Sequence, residues 1–158
     1  GIQADLISIE NERHVASSHG IKLVADLMLD DADLASYAVV FLPGGMPGTL
    51  RLKENAQVRA EVVRRAEASL KLAAICAAPS ILAELGVLEG RRATANPGFM
   101  DALSAGGAQA QSECVVVDGN IVTSRGAGTA LELGLELVRQ LLGEEAAQQV
   151  RESIVWQH

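Results

Sequence analysis

The chain has 158 residues, of which 49% are hydrophobic, 21% charged and 3% aromatic, and its formal net charge is −7. That size and balance give one globular domain over residues 1–158, large enough to bury a core without disulfide or metal support. The acidic balance, without a basic run or aromatic platform, excludes an electrostatic nucleic-acid binder, and no apolar run is long enough to span a bilayer.

Ile2 to Ile9 alternates apolar and polar residues and predicts a strand. Glu10 to Gly20 is polar and turn-like, and its His14 and His19, like His158 at the other end, are expected at solvated positions. Ile21 to Ala25 predicts a short strand, and Asp30 to Leu34 a turn or a capped single helical turn. Tyr37 to Leu42 is a continuous apolar run, the pattern of a buried strand. It ends in the glycine-rich turn Pro43-Gly44-Gly45-Met46-Pro47-Gly48, and helical periodicity follows from Thr49 through Ala68. Leu70 to Ile75 is a second buried strand, and a helix runs on through Leu85 with Pro79 in its first turn.

Arg91 to Ala95 predicts a short strand, Asn96-Pro97-Gly98 a loop, and Phe99 to Ser104 helical turns ending at Gly106-Gly107. Glu113 to Val117 and Asn120 to Ser124 flank Asp118-Gly119, a hairpin signal. Arg125 to Thr129 forms a second glycine-rich turn, with Thr129 placed to cap an amphipathic helix from Ala130 to Leu142. Gly143 ends that helix, and a last one runs from Glu144 to Glu152. Strand and helix alternate throughout, which predicts an α/β sandwich around a mostly parallel sheet.

The chemistry concentrates where the second buried strand becomes a helix, at Cys76. In a parallel sheet that junction lies on the carboxyl edge, where ligands bind. A thiol beside the free N–H groups of a helix start is biased toward thiolate, and the small neighbours Ala74, Ala77 and Ala78 let a substrate approach. The alternative is a buried structural cysteine, the expectation for Cys114 in its predicted strand. Two such cysteines make neither a disulfide framework nor a metal-ligand spacing, and free thiols fit a reducing, cytoplasmic compartment. Pro43-Gly44-Gly45 reads either as a tight turn or as part of an oxyanion hole shared with the N–H of Ala77. No dinucleotide fingerprint, P-loop or G-x-S-x-G is present.

Four segments occur together and in order: Val40-Phe41-Leu42-Pro43-Gly44-Gly45, Ala73-Ala74-Ile75-Cys76-Ala77-Ala78-Pro79, Thr94 with Pro97, and Thr123-Ser124-Arg125-Gly126-Ala127-Gly128-Thr129. In these the chain resembles the ThiJ/PfpI superfamily, and within it the branch of the parkinsonism-associated protein deglycase and its bacterial chaperone-like relatives. The resemblance implies a flavodoxin-like three-layer sandwich, a homodimer, no cofactor and no metal. It implies activity on reactive dicarbonyls or their protein adducts, as a glyoxalase or deglycase protecting against oxidative stress. Many bacterial members carry a thiazole monophosphate biosynthesis label. By position, Cys76 is the nucleophile and redox-sensitive thiol, the N–H groups of Gly45 and Ala77 hold the oxyanion, and Gly44 and Pro97 support the substrate pocket.

Three departures stand out. The family begins with a strand and helix carrying a glutamate that bonds the cysteine; this chain starts after that unit, which is therefore expected to precede Gly1. Ala108 follows Gly106-Gly107 where the deglycase has a histidine. Ala77 stands where the family's peptidases have a histidine, which excludes a Cys-His peptidase. The second reading, from another class, is a non-catalytic redox sensor or chaperone switched by oxidation of Cys76 to sulfinate.

Overall fold

A computed structural model describes residues 1–157; His158 lies outside the described residues. In chain order the strands and helices are β1 (Ile7–Ser8), β2 (His14–Ala16), β3 (Lys22–Val24), β4 (Leu27–Met28), β5 (Val39–Leu42), α1 (Gly48–Glu54), α2 (Ala56–Glu67), β6 (Lys71–Ile75), α3 (Pro79–Glu84), β7 (Arg92–Ala93), α4 (Met100–Ala105), β8 (Gln109–Ala110), β9 (Val115–Asp118), β10 (Ile121–Ser124), α5 (Ala130–Leu142) and α6 (Glu144–Ser153). The main sheet has the order β5–β6–β10–β9, parallel except for the β9–β10 hairpin. β1 pairs parallel with β4, β7 pairs parallel with β8, and β2 and β3 form a separate antiparallel hairpin.

Successive side chains of a strand point to opposite faces, and β6 has apolar neighbours on both. Leu72 and Ala74 pack in one cluster with Val58 and Val62 of α2, Ile81 and Leu82 of α3, and Leu103 of α4. Ala73 and Ile75 pack in the other with Val122 of β10 and Leu133 of α5. The result is helix, sheet, helix, the sandwich that the sequence pattern predicts. At the amino end of β6 the two layers are tied by Arg65, whose side chain is fully buried. Its guanidinium donates to Glu61 at 2.7 Å and to the carbonyls of Lys71, Leu34 and Tyr37 at 2.9, 2.9 and 2.6 Å.

Several expectations change at this level. The strand expected over Ile2 to Ile9 shrinks to Ile7–Ser8. Just before it the backbone of Leu6 is met by the turn at Asp26, with its N–H donating to Asp26 Oδ2 at 2.8 Å. The polar stretch from Glu10 to Gly20 contains β2, three residues being too few to show a period. Tyr37 to Leu42 is not buried throughout: β5 is an edge of the four-stranded sheet, and Phe41 is 44% exposed. The helix expected from Thr49 to Ala68 is two, because Asn55 closes α1 and its carboxamide oxygen caps α2 by accepting from Val58 N–H at 3.0 Å. Thr129 precedes α5 without capping it; its hydroxyl turns back to Ser124 Oγ at 2.6 Å and to the backbone of Gly126.

Candidate active site

Cys76 lies in the turn between β6 and α3 with φ +65°, a left-handed conformation that costs an L-residue about 1–2 kcal/mol. Two hydrogen bonds hold it there. Its N–H donates to Ser124 C=O at 2.9 Å, and its C=O accepts from Asn96 N–H at 2.9 Å. The first bond extends the β6–β10 ladder by one residue; the second ties the turn to the loop after β7. Ala77 and Ala78 complete the turn in full burial, and Ser80 closes it by donating from N–H and Oγ to Ala77 C=O at 3.1 and 2.7 Å. The helix begins only at Pro79 and has six residues, and Ala78 N–H donates back to Ile75 C=O at 3.1 Å, so of the turn's N–H groups only that of Ala77 is left without a backbone acceptor beside the half-buried thiol.

The glycine turn after β5 packs directly on this elbow. A Cβ on Gly44 would stand 2.5 Å from Cys76 Cβ and 2.8 Å from Ile75 O, so only glycine fits. Gly45 has φ +96°, and its carbonyl accepts from the N–H and hydroxyl of the buried Thr49 at 2.8 and 3.0 Å. Among the described residues, neither the Gly45 N–H nor the Ala77 N–H has a backbone acceptor. Unpaired donors of this kind are what an oxyanion requires. Pro97 is exposed and opens a short 3-10 turn capped by Asn96, whose side-chain oxygen accepts from Gly98 N–H at 3.1 Å. Cys76, Gly44, Gly45 and Ala77 are thus brought together, and Pro97 sits one residue beyond the Asn96 that bonds the Cys76 carbonyl.

Two participants at this end of the sheet escaped the sequence reading. Asn96 is one. The other is Ser18, at the tip of the β2–β3 hairpin, whose hydroxyl lies 3.6 Å from the position a Gly45 Cβ would take. The hydroxyl is bonded in turn to His19 Nδ1 at 3.1 Å. His14 and His19 are exposed, as expected, but position alone gave no sign that the tip returns to the glycine turn. Ala108 is half-buried against the cluster between α3 and α4.

A cleft of about 430 Å³ opens between α1, α3 and α4, lined by Met46, Leu50, Ser80, Phe99 and Ala102 among others; Cys76, Ala77, Gly44 and Gly45 are not among its lining residues. On its rim Glu84 is paired with Lys53 and, at 3.1 Å, with Arg59. These cations, Lys53 first, hold the Glu84 carboxyl below its ordinary value.

Cys114 is exposed, against the expectation of a core position. β9 starts at Val115, one residue later, and Cys114 contributes only its carbonyl to the sheet edge, accepting from Arg125 N–H and Ser124 Oγ at 3.1 and 3.0 Å.

The DJ-1/PfpI family profile matches residues 1–140. The chain is 41% identical to protein DJ-1 homolog A of Arabidopsis thaliana over 95% of its own length, and it spans only 38% of that larger protein. It is 30% identical to the glutathione-independent glyoxalase DJR-1.2 of Caenorhabditis elegans, covering 83% of this chain and 69% of that one. Among solved structures it superposes on oxidized Toxoplasma gondii DJ-1 with a TM-score of 0.89, at 31% identity over 96% of this chain and 82% of that one.

Proposed function

The chain belongs to the DJ-1/PfpI family, and on that premise we propose that it is a cofactor-free, cysteine-dependent glyoxalase or deglycase acting on reactive dicarbonyls or their protein adducts. The observation that carries the reading is the held elbow. Cys76 is locked at positive φ against Gly44, and the N–H groups of the adjoining Gly45 and Ala77 have no backbone acceptor among the described residues.

The Cys76 sulfur adds to the aldehyde carbon of a dicarbonyl, forming a C–S bond and leaving negative charge on the former carbonyl oxygen. The Gly45 and Ala77 N–H groups stabilise that oxygen. A proton then moves from the sulfur-bearing carbon to its neighbour, and the adduct becomes a thioester of a 2-hydroxy acid. Water cleaves the thioester, releasing the acid and restoring the thiol; the sum is dicarbonyl plus water to hydroxy acid, with no external oxidant. Gly44 and Pro97 shape the approach to the sulfur. The name of the Caenorhabditis elegans relative, a glutathione-independent glyoxalase, supports this chemistry.

A homodimer and a cytoplasmic setting belong to the same proposal. Ile21 and Leu23 of the β2–β3 hairpin, two positions apart and so on one face, are 63% and 43% exposed and offer an apolar face for a second copy. Among the described residues no helix is long and apolar enough to cross a membrane. Sedimentation at micromolar concentration tests the dimer; a lone 16.5 kDa species would contradict it.

Incubating the protein with methylglyoxal and following the hydroxy acid tests the reaction. Turnover that vanishes in Cys76→Ser is expected. Absent turnover, together with ready oxidation of Cys76, would favour the redox-switch reading instead.

A further inference from the structure

A vicinal dicarbonyl carries two adjacent oxygens. Once sulfur adds to one carbonyl carbon, that oxygen takes the Gly45 and Ala77 N–H groups, and the second oxygen still needs a donor. We propose that the Ser18 hydroxyl is that donor, oriented by His19, so that the tip of the β2–β3 hairpin selects dicarbonyls over simple aldehydes. The inference rests on the dicarbonyl reading above.

The tip lies against the glycine turn: a Cβ on Gly45 would be in ordinary van der Waals contact with Ser18 Oγ, 3.6 Å away. Nothing on Gly45 separates the hydroxyl from the turn that carries the N–H donor. The tip is also braced. Ser17 Oγ accepts from the N–H groups of His19 and Ile21 at 3.4 and 3.2 Å, and Ser17 and Gly20 close the turn through backbone bonds of 2.9 and 3.0 Å. A serine hydroxyl has one hydrogen to give and two lone pairs. When His19 carries its proton on Nδ1, it donates to Ser18 Oγ across the 3.1 Å contact, and the hydroxyl hydrogen stays free for a substrate oxygen. Ser18 is then a binding residue, and His19 a positioning residue that acts through it.

The test compares how methylglyoxal, with two carbonyls, and acetaldehyde, with one, protect Cys76 from iodoacetamide, read by mass spectrometry of the Cys76 peptide. Ser18→Ala is expected to raise the half-protecting methylglyoxal concentration about fivefold, the loss of one neutral hydrogen bond, and to leave acetaldehyde unchanged. Ser18→Thr, which keeps the hydroxyl, should behave as wild type, and His19→Phe should shift methylglyoxal in the same direction by about half as much on a logarithmic scale. Equal methylglyoxal protection in wild type and Ser18→Ala, or equal shifts for both aldehydes, would overturn the inference while leaving the dicarbonyl reading standing. No protection of the wild type by either aldehyde would overturn both.

Discussion

Two cysteines flank the carboxyl end of β10, one just after β6 and one just before β9, and their surroundings differ in kind. Ser124 stands between them: its carbonyl accepts from Cys76 N–H, and its hydroxyl donates to the Cys114 carbonyl. Cys76 is half-buried, forced to φ +65°, walled by Gly44 and set beside two unaccepted N–H groups. Cys114 is exposed, has ordinary backbone, and uses only its carbonyl. Access favours Cys114; every constraint that makes a nucleophile useful favours Cys76. The contrast sets the two thiols apart on separate counts: how much of each meets water, and what the backbone around each is prevented from doing.

The largest expected effect breaks the pair apart directly. Cys76→Ser should lower methylglyoxal turnover on the order of a thousandfold or more, whereas Cys114→Ser should leave it within about twofold. Hydroxy-acid formation by the purified variants measures both, and loss of turnover in Cys114→Ser would reverse the assignment.

The next change asks whether the elbow depends on the far end of its own strand. Arg65→Ala removes the donor to three carbonyls and leaves Glu61 with Arg64 alone, a loss of about 3–5 kcal/mol. Urea denaturation should show it, and the alkylation rates of the two cysteines should converge as the sheet loosens.

A matched pair of glycines then separates stability from chemistry. Gly44→Ala forces a Cβ onto Cys76 Cβ, and Gly119→Ala places a side chain at φ +60° in the β9–β10 turn. Each should cost about 1–3 kcal/mol, but only Gly44→Ala should also reduce turnover in the fraction that remains folded. Equal activity in the two variants would show that the wall beside Cys76 is ordinary packing.

Smaller still is the difference in native labelling. At neutral pH Cys76 should be alkylated several-fold faster than Cys114 despite its lower exposure, and faster labelling of Cys114 would mean that access alone governs these thiols.

The last expectation concerns acid and the scaffold beneath both. Hydrogen bonding from Arg64 holds the Glu61 carboxyl below its ordinary value of 4.5, opposed by burial and assisted by Arg65. A carboxyl lowered in the folded state contributes stability that is present above 4.5 and lost as pH falls through the lowered folded value. The urea midpoint should therefore drop below pH 4.5, and Arg64→Ala should flatten that dependence.

Much of the flavodoxin-like sandwich was legible because its signals are local. The apolar run of β6, the amphipathic period of α5 from Ala130 to Leu142, and Asp118-Gly119 between β9 and β10 each depend on residues near one another in the chain. The strand-to-helix junction at Cys76 was legible for the same reason, since a buried strand, a thiol, small residues and Pro79 are consecutive. Tertiary structure decided what depends on a neighbour brought from elsewhere. β5 is as apolar as β6, yet Phe41 is half exposed because β5 lies at an edge of the sheet. Arg65 reads as one more cation on a helix, and it is buried because Glu61 and three carbonyls converge on it. Ser18 and His19 read as solvated turn residues, and the Ser18 hydroxyl, bonded to His19, reaches Gly45 only because the hairpin tip comes to lie against the glycine turn. Period and turn chemistry are fixed by covalent neighbours, whereas pairing, burial and the approach of one loop to another are fixed by which surfaces the whole chain leaves open.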